Sequence, residues 1–369
     1  MSGICGEVFV VLAPFVGSDK SVIFGRNGLR EPVDGSAVTE VHFHPASEAT
    51  GPVKCDSVEI DDGVATLSVI LNKPAGMWGA ESGSNEKGVC IGLTFSEGFP
   101  VGGKLNPTDL VRLGLERSTS ASAAVDTMTS LSAKYGPEGE SKDSAKAAFV
   151  ICDPNELWLL NIVGSLWAAQ KVSDSGSLAL KPGLSVFGSA DLSSEDLSAK
   201  LQAAGLWDGS GDLKFAAVFG SESNRSWPGS EPSGEGLFGV TQMFETLRAA
   251  GAEGSALSSQ VTVLSKEGLS CHWFTATPNP LESVFKPFIF TTGAKISPLT
   301  KVPDGESCSL LHKLHSNRKW ENVGDLLKSL ESTCVDEVDG FISKQSGDPS
   351  QELDELMKDC VEAEVKFYR

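Results

Sequence analysis

Six apolar runs of strand length fill the first hundred residues, and turn-forming residues close each one before it could complete a helix. EVFVVLAP, SVIFGRN, EVHFHP, DSVEI, ATLSVILN and GVCIGLTF are short and as a group rich in Val, Ile, Phe and Thr, and the Gly, Asp, Asn and Pro between them supply the bends. This punctuation predicts a β-rich half made mostly of hairpins, the first joining EVFVVLAP to SVIFGRN across GSDK. The period then changes. NPTDLVRLGLER puts Leu110, Leu113 and Leu115 near one face, and STSASAAVDTMTSLSAKYG runs from Ser/Thr caps to a stop at Gly136, so both read as helices.

Further along, AAFVIC, LWLLNIVG and SLWAAQKV read as paired strands, the first two joined by the turn DPNE. KFAAVFG reads as a strand, TQMFETLRAAG as a helix, and SQVTVLS and LSCHWFTATP as strands. SESNRSWPGSEPSGEG is loop-like, and from Glu321 onward NVGDLLKSLESTC and PSQELDELMKDCVEAEV are helical. The class is α+β, with one domain over residues 1–320 and a helical extension over 321–369 packing on it.

Charge narrows the function. The chain of 369 residues carries a formal net charge of −19, with the acidic residues spread along it. Such a chain repels phosphates and anionic lipids, which argues against nucleic acid as a partner. No apolar run approaches the roughly 20 residues that span a bilayer, so no membrane span is expected. Eight cysteines are scattered without CxxC spacing, which reads as reduced thiols in a cytoplasmic protein and not as a zinc site or disulfide framework.

One cysteine stands apart by position. Cys5 precedes the first strand, and were residues 1–4 removed it would join a thiol to a free α-amine, the kit of a self-activating nucleophile. If they stay, Cys5 is a small apolar residue opening a strand.

Several stretches, in order over the whole chain, resemble the secernin family, grouped with the C69 dipeptidases of the N-terminal-nucleophile hydrolase superfamily. They are VIFGRN, WGAESGSNEKGVCIG, DLVRLGLER, ELWLLNIVGSLWAAQKV, LWDGSGDLKFAAVF, HWFTATPNPLESVFKPFIF and the closing KDCVEAEVKFYR. The resemblance implies a four-layer αββα sandwich in which two antiparallel sheets face each other between helical layers. It implies dipeptide or small amide hydrolysis by a cysteine at a mature N-terminus. It also implies a cytosolic protein linked to regulated exocytosis. The residues themselves lead us to expect no cofactor and no metal.

By resemblance the catalytic residues would be Cys5 as nucleophile, Arg26 as the cation beside the sulfur, and Asn27 next to it. A cation there favours the thiolate. The plainer reading of Arg26 is a surface strand residue. The pattern around them departs from the family. Gly25-Arg26-Asn27-Gly28-Leu29-Arg30 has Leu29 where relatives carry an aspartate that holds the cysteine, and leucine accepts no hydrogen bond. Leu93-Thr94 follows GVCIG where relatives have Asn-Glu, and losing an oxyanion donor costs roughly 10²–10³ in kcat. Asn161 replaces a glutamate, and Pro182 stands where relatives aim an asparagine at the site.

Other constellations are weaker. His42 and His44 share a strand face without a third ligand at metal spacing, and His272 reads as a core histidine. SGSNEKG and GSGD lack a P-loop ending and read as turns, while Cys90 and Cys152 read as buried thiols. Trp78 would frame the old pocket. The chain therefore reads as a secernin-like protein with a degraded catalytic site, an interaction or structural component with unknown protein partners, a larger assembly or a homo-oligomer. The alternative is an active dipeptidase that uses Cys5 on small peptides after residues 1–4 are removed.

Overall fold

The N-terminal apolar run forms a strand buried on both faces. In the computed structural model, which describes residues 4–17, 22–29, 38–48, 51–61, 63–100, 102–173, 176–220, 222–251, 256–343 and 351–369, β1 (Cys5–Leu12) pairs antiparallel with β2 (Val22–Leu29) along its whole length. The predicted hairpin is present, though part of its GSDK turn lies outside the described residues. Next come β3 (Thr39–His44), a small separate hairpin of β4 (Val53–Lys54) and β5 (Glu59–Ile60), then β6 (Val69–Pro74), β7 (Ser82–Asn85) and β8 (Cys90–Glu97).

Two helices follow where the period changes. α1 (Pro107–Arg117) starts at Asn106, whose side chain accepts from the Asp109 amide at 2.9 Å while the Asp109 carboxylate accepts from the Asn106 amide at 3.2 Å. This reciprocal cap, with Pro107 in the first turn, fixes where the helix begins. α2 (Ala121–Tyr135) is capped by Ser120 and ends at Gly136, as the sequence predicts. The meander β9 (Lys146–Cys152), β10 (Leu157–Val163) and β11 (Leu166–Val172) is followed by β12 (Ser177–Leu180) and β13 (Leu192–Ser193).

One expectation fails in the next segment. KFAAVFG is not a strand: after α3 (Leu197–Ala203), residues Phe215–Phe219 form the short helix α4. Phe215 and Phe219 sit four apart, so a helical turn stacks their rings 4.9 Å centre to centre against one core, whereas a strand would have spread them along it. Gly220 ends the turn at φ 68°, a left-handed conformation open to glycine at little cost. Then come α5 (Val240–Ala250), β14 (Ala256–Leu264), β15 (Cys271–Phe274), β16 (Lys286–Phe288), α6 (Leu310–Asn317), α7 (Trp320–Ser343), α8 (Gln351–Asp354) and α9 (Leu356–Phe367).

Fourteen strands are hydrogen-bonded into one network that folds on itself. One limb runs β12-β1-β2-β14-β15-β16, the other β3-β6-β7-β8-β9-β10-β11-β13, and the junction is the pairing of Cys5 with Phe95. The limbs face each other across one apolar layer: Val8, Val10 and Phe24 from the first meet Ala148, Val150 and Leu159 from the second. The outer face of the second limb packs Ile91, Leu93 and Phe149 against α1 and α2. The outer face of the first packs Phe9, Ile23 and Trp273 against Met243, Phe244 and Leu247 of α5 and against α7 and α9. The layers are thus helix, sheet, sheet, helix, the α+β sandwich that the sequence resemblance implies. No helix among the described residues is long and apolar enough to cross a membrane.

The C-terminal helices are tied down by charge as well as by apolar surface. Lys286 on β16 and Glu364 on α9 form an ion pair at 2.6 Å with both side chains fully buried, and Tyr368 donates to the same carboxylate at 2.6 Å. Removing one member of such a pair strands the other charge in a dry interior, at a cost of about 3–5 kcal/mol. Glu364→Ala should therefore lower the free energy of unfolding by about that amount in urea titration. Breaking the exposed Lys295–Glu355 pair with Lys295→Ala should change it by less than about 1 kcal/mol.

Candidate functional site

Cys5 is half-buried at the point where the two limbs meet. Directly across from it on β2 stands Leu29, and directly across on β8 stands Phe95. Cross-strand partners are the residues best placed to touch a side chain, and here both are hydrocarbon. The position that the resemblance assigns to an orienting carboxylate is thus Cys5's own ladder partner, and a leucine fills it. On the chain side, Ile4 is stitched to β8: its amide donates to Ser96 Oγ at 3.1 Å, and its carbonyl accepts from the Ser96 amide at 2.8 Å.

Arg26 lies against Gly6, the residue next to Cys5. It is not a surface residue: it is wholly buried between the limbs, so the plainer sequence reading is overturned. Its Nε donates to the Leu93 carbonyl at 2.9 Å, and Nη1 and Nη2 reach Glu81 Oε2 at 3.4 and 3.3 Å. Burying a guanidinium demands both a counter-ion and hydrogen-bond acceptors, and Glu81 and Leu93 supply them. Glu81 lies within the stretch WGAESGSNEKG, yet nothing in that string marks it as the partner of a residue 55 positions earlier.

Three glycines make room for this pair. A Cβ on Gly6 would come within 2.8 Å of Nε and Nη2 and 2.9 Å of the Leu93 carbonyl. One on Gly28 would stand 3.0 Å from Glu81 Oε2, and one on Gly92 would stand 2.7 Å from the Phe24 ring and 3.3 Å from Arg26 Cδ. Gly25, on the other face of β2, seats Met243 of α5, whose sulfur would be 2.4 Å from an added Cβ. The string GRNG therefore alternates between serving the helix layer and serving the interlayer.

Asn27 points away from Arg26, to the helix side. Its Nδ2 donates to the Leu247 carbonyl of α5 at 2.9 Å and its Oδ1 accepts from Ser259 Oγ at 2.7 Å, so its amide is committed to holding α5 and β14. Glu7, two residues after Cys5, is ion-paired with Lys181. The other departures from the family pattern are also explained by packing. Leu93 is fully buried against α1 and α2, and the Thr94 hydroxyl donates to the Ala148 carbonyl at 3.0 Å. Asn161 uses its Oδ1 to accept from the amides of Ser185 and Val186, both at 2.8 Å, and its Nδ2 to reach Ser185 Oγ. It pins the 184–186 segment that follows Pro182.

From Arg26 a polar seam continues between the limbs. Asn72 donates to Ser258, and Gln260 reaches Ser84 and Thr262, the last of which meets His272 Nδ1 at 3.3 Å. His272 is fully buried, and loss of hydration pushes its pKa down to about 3. It is a core histidine far along the seam, as expected. His42 and His44 lie half-buried 5.9 Å apart, with His42 paired to Glu40. No group of three or more metal-ligating side chains occurs among the described residues. Cys90 and Cys152 are cross-strand partners, both buried. Trp78 packs on the α1 side, with the Arg112 guanidinium 4.2 Å over its ring.

Residues 81–228 match the family model for peptidase family C69, the family that the resemblance names. Two variants of a conjugated bile acid hydrolase from Clostridium perfringens are similar in structure at 12% identity. One has a TM-score of 0.38 and covers 72% of this chain and 88% of the hydrolase; the other has 0.37, with 73% and 89%. Likeness at this level is loose, and the layer order stands on the strand pairings above.

Two outcomes follow from the geometry. Gly6→Ala forces a methyl against a fixed carbonyl and should lower stability by about 1–3 kcal/mol in chemical denaturation. Gly340→Ala, in α7 with open space around it, should instead be neutral or stabilising by up to about 1 kcal/mol. Acid should unfold the protein through its buried histidines. His272, with its folded pKa near 3, and His315, near 2 through burial and the neighbouring Arg318 charge, stay neutral while the unfolded chain takes up protons below about 6.5. The contribution of these two histidines is full above pH 6.5 and is lost as pH drops, by roughly 1.4 kcal/mol per pH unit for each. Urea midpoints measured from pH 7 to pH 4.5 should decline, and His272→Gln should flatten that decline.

Proposed function

We propose that this C69-type chain works by binding other proteins and does not hydrolyse peptides. The observation that carries the reading is the strand register at Cys5: its ladder partners are Leu29, at the position where the resemblance implies an orienting carboxylate, and Phe95. A thiol works as a nucleophile only when a base, a charge or a hydrogen bond favours its thiolate. The nearby guanidinium of Arg26 is bonded to Glu81 and to the Leu93 carbonyl. Ile4 supports the same reading, because its two hydrogen bonds to Ser96 make the residue before Cys5 part of the sheet. With Ile4 in place the nitrogen of Cys5 is an amide and cannot act as a base. None of the eight cysteines is joined in a disulfide, which suits a reducing compartment such as the cytosol.

One observation favours the opposite reading, an active dipeptidase released by removal of residues 1–4: the Arg26 guanidinium lies against Gly6, one residue from Cys5. Intact mass of the protein from its native cell, followed by a dipeptide panel on the purified chain, separates the two. The binding reading expects residues ahead of Cys5 to be retained and turnover indistinguishable from that of Cys5→Ala. A chain beginning at Cys5, with turnover that Cys5→Ala abolishes, would overturn it.

A further inference from the structure

The packed face between α7 and α9 carries two thiols. Cys334 Sγ and Cys360 Sγ are 2.9 Å apart and nearly buried, at 2% and 5% exposure. They differ from the other close pair, Cys90 and Cys152, which is sealed inside the sandwich. Cys334 and Cys360 instead line a cavity of about 460 Å³ together with Leu330, Glu337, Phe341 and Leu356. A small solute entering that cavity meets both sulfurs, and the sulfurs already meet each other.

We propose that Cys334 and Cys360 form a site of oxidative modification, closing to a disulfide that clasps α7 to α9 when the protein meets a hydroperoxide. One sulfur, as thiolate, attacks the peroxide O–O bond and becomes a sulfenic acid, releasing water. The second sulfur then attacks the first, the S–S bond forms, and a second water leaves. Two thiols and one hydrogen peroxide give one disulfide and two waters, with two electrons passing from sulfur to oxygen. The neighbouring Cys334 thiol and burial push the Cys360 thiol upward, so Cys360 rests as the thiol and must give up its proton if it is the attacking sulfur.

The clasp would matter because of what α9 holds. Glu364 on that helix is the counter-ion of Lys286 on β16, so fixing α9 to α7 fixes the outer helical layer to the sheet. Cross-linking residues 26 apart also removes freedom from the unfolded chain, and so raises the temperature of unfolding.

The test treats the reduced, full-length protein with hydrogen peroxide, blocks remaining thiols in denaturant with N-ethylmaleimide, and maps peptides by mass spectrometry without reduction. The expected result is a dominant linked peptide joining Cys334 to Cys360, two hydrogens lighter than the sum of its parts and lost on reduction. The oxidised protein should also melt a few degrees higher than the reduced one. Cys334→Ser and Cys360→Ser should each abolish both effects. Recovery of the two thiols as separate maleimide adducts or as sulfinic acids, or disulfides joining other cysteines in preference, would overturn the proposal. The wild-type map decides the matter even where a serine variant fails to fold.

Discussion

A buried guanidinium is the constraint around which the rest of this molecule is arranged. Arg26 sits where two sheet limbs face each other, and the positions around it answer to that charge: Glu81 neutralises it, the Leu93 carbonyl takes its Nε, and Gly6, Gly28 and Gly92 leave it room. Removing any one of these would leave either a bare charge in a dry space or a steric collision. The same residue sets the spacing of β1, β2 and β8, because one side chain contacts all three strands. Its neighbours in sequence serve the opposite face, where Gly25 seats α5 and Asn27 fastens it.

The same arrangement gives a place to the residues at which the sequence departs from the pattern it resembles. Leu29, Leu93 and Asn161 are not gaps. Leu93 fills space against α1 and α2, Asn161 satisfies two backbone amides, and Leu29 opens β2's far end opposite Cys5. The backbone beneath them is held by the glycine-lined ion pair and the cross-strand ladder.

How much of this was legible in the sequence depends on distance along the chain. Local signals were readable: the β1–β2 hairpin, the apolar face of α1, the caps of α2 and the β9–β11 meander all follow from period, turn residues and caps. FAAVF was misread because an apolar run of five satisfies both periods, and only the meeting of Phe215 with Phe219 distinguishes them. Of the two readings the sequence left open for Arg26, the surface one failed because its counter-ion, Glu81, lies just ahead of β7 and is brought to it only by folding. The juxtaposition of β8 with β1, which gives Cys5 its second neighbour, is likewise a property of the closed network and of no single segment.

The stitch between Ile4 and Ser96 carries a consequence beyond the retention of a strand residue. Cutting the chain ahead of Cys5 would withdraw the acceptor of the Ser96 amide and the donor to its hydroxyl in the same event. Two hydrogen-bonding groups would be released beside a newly formed amine, at the seam between the limbs. Ile4 thus behaves as a latch: while it is in place the polar equipment at this corner is spent on holding the sheet together, and only its departure would return that equipment to solvent or to a substrate.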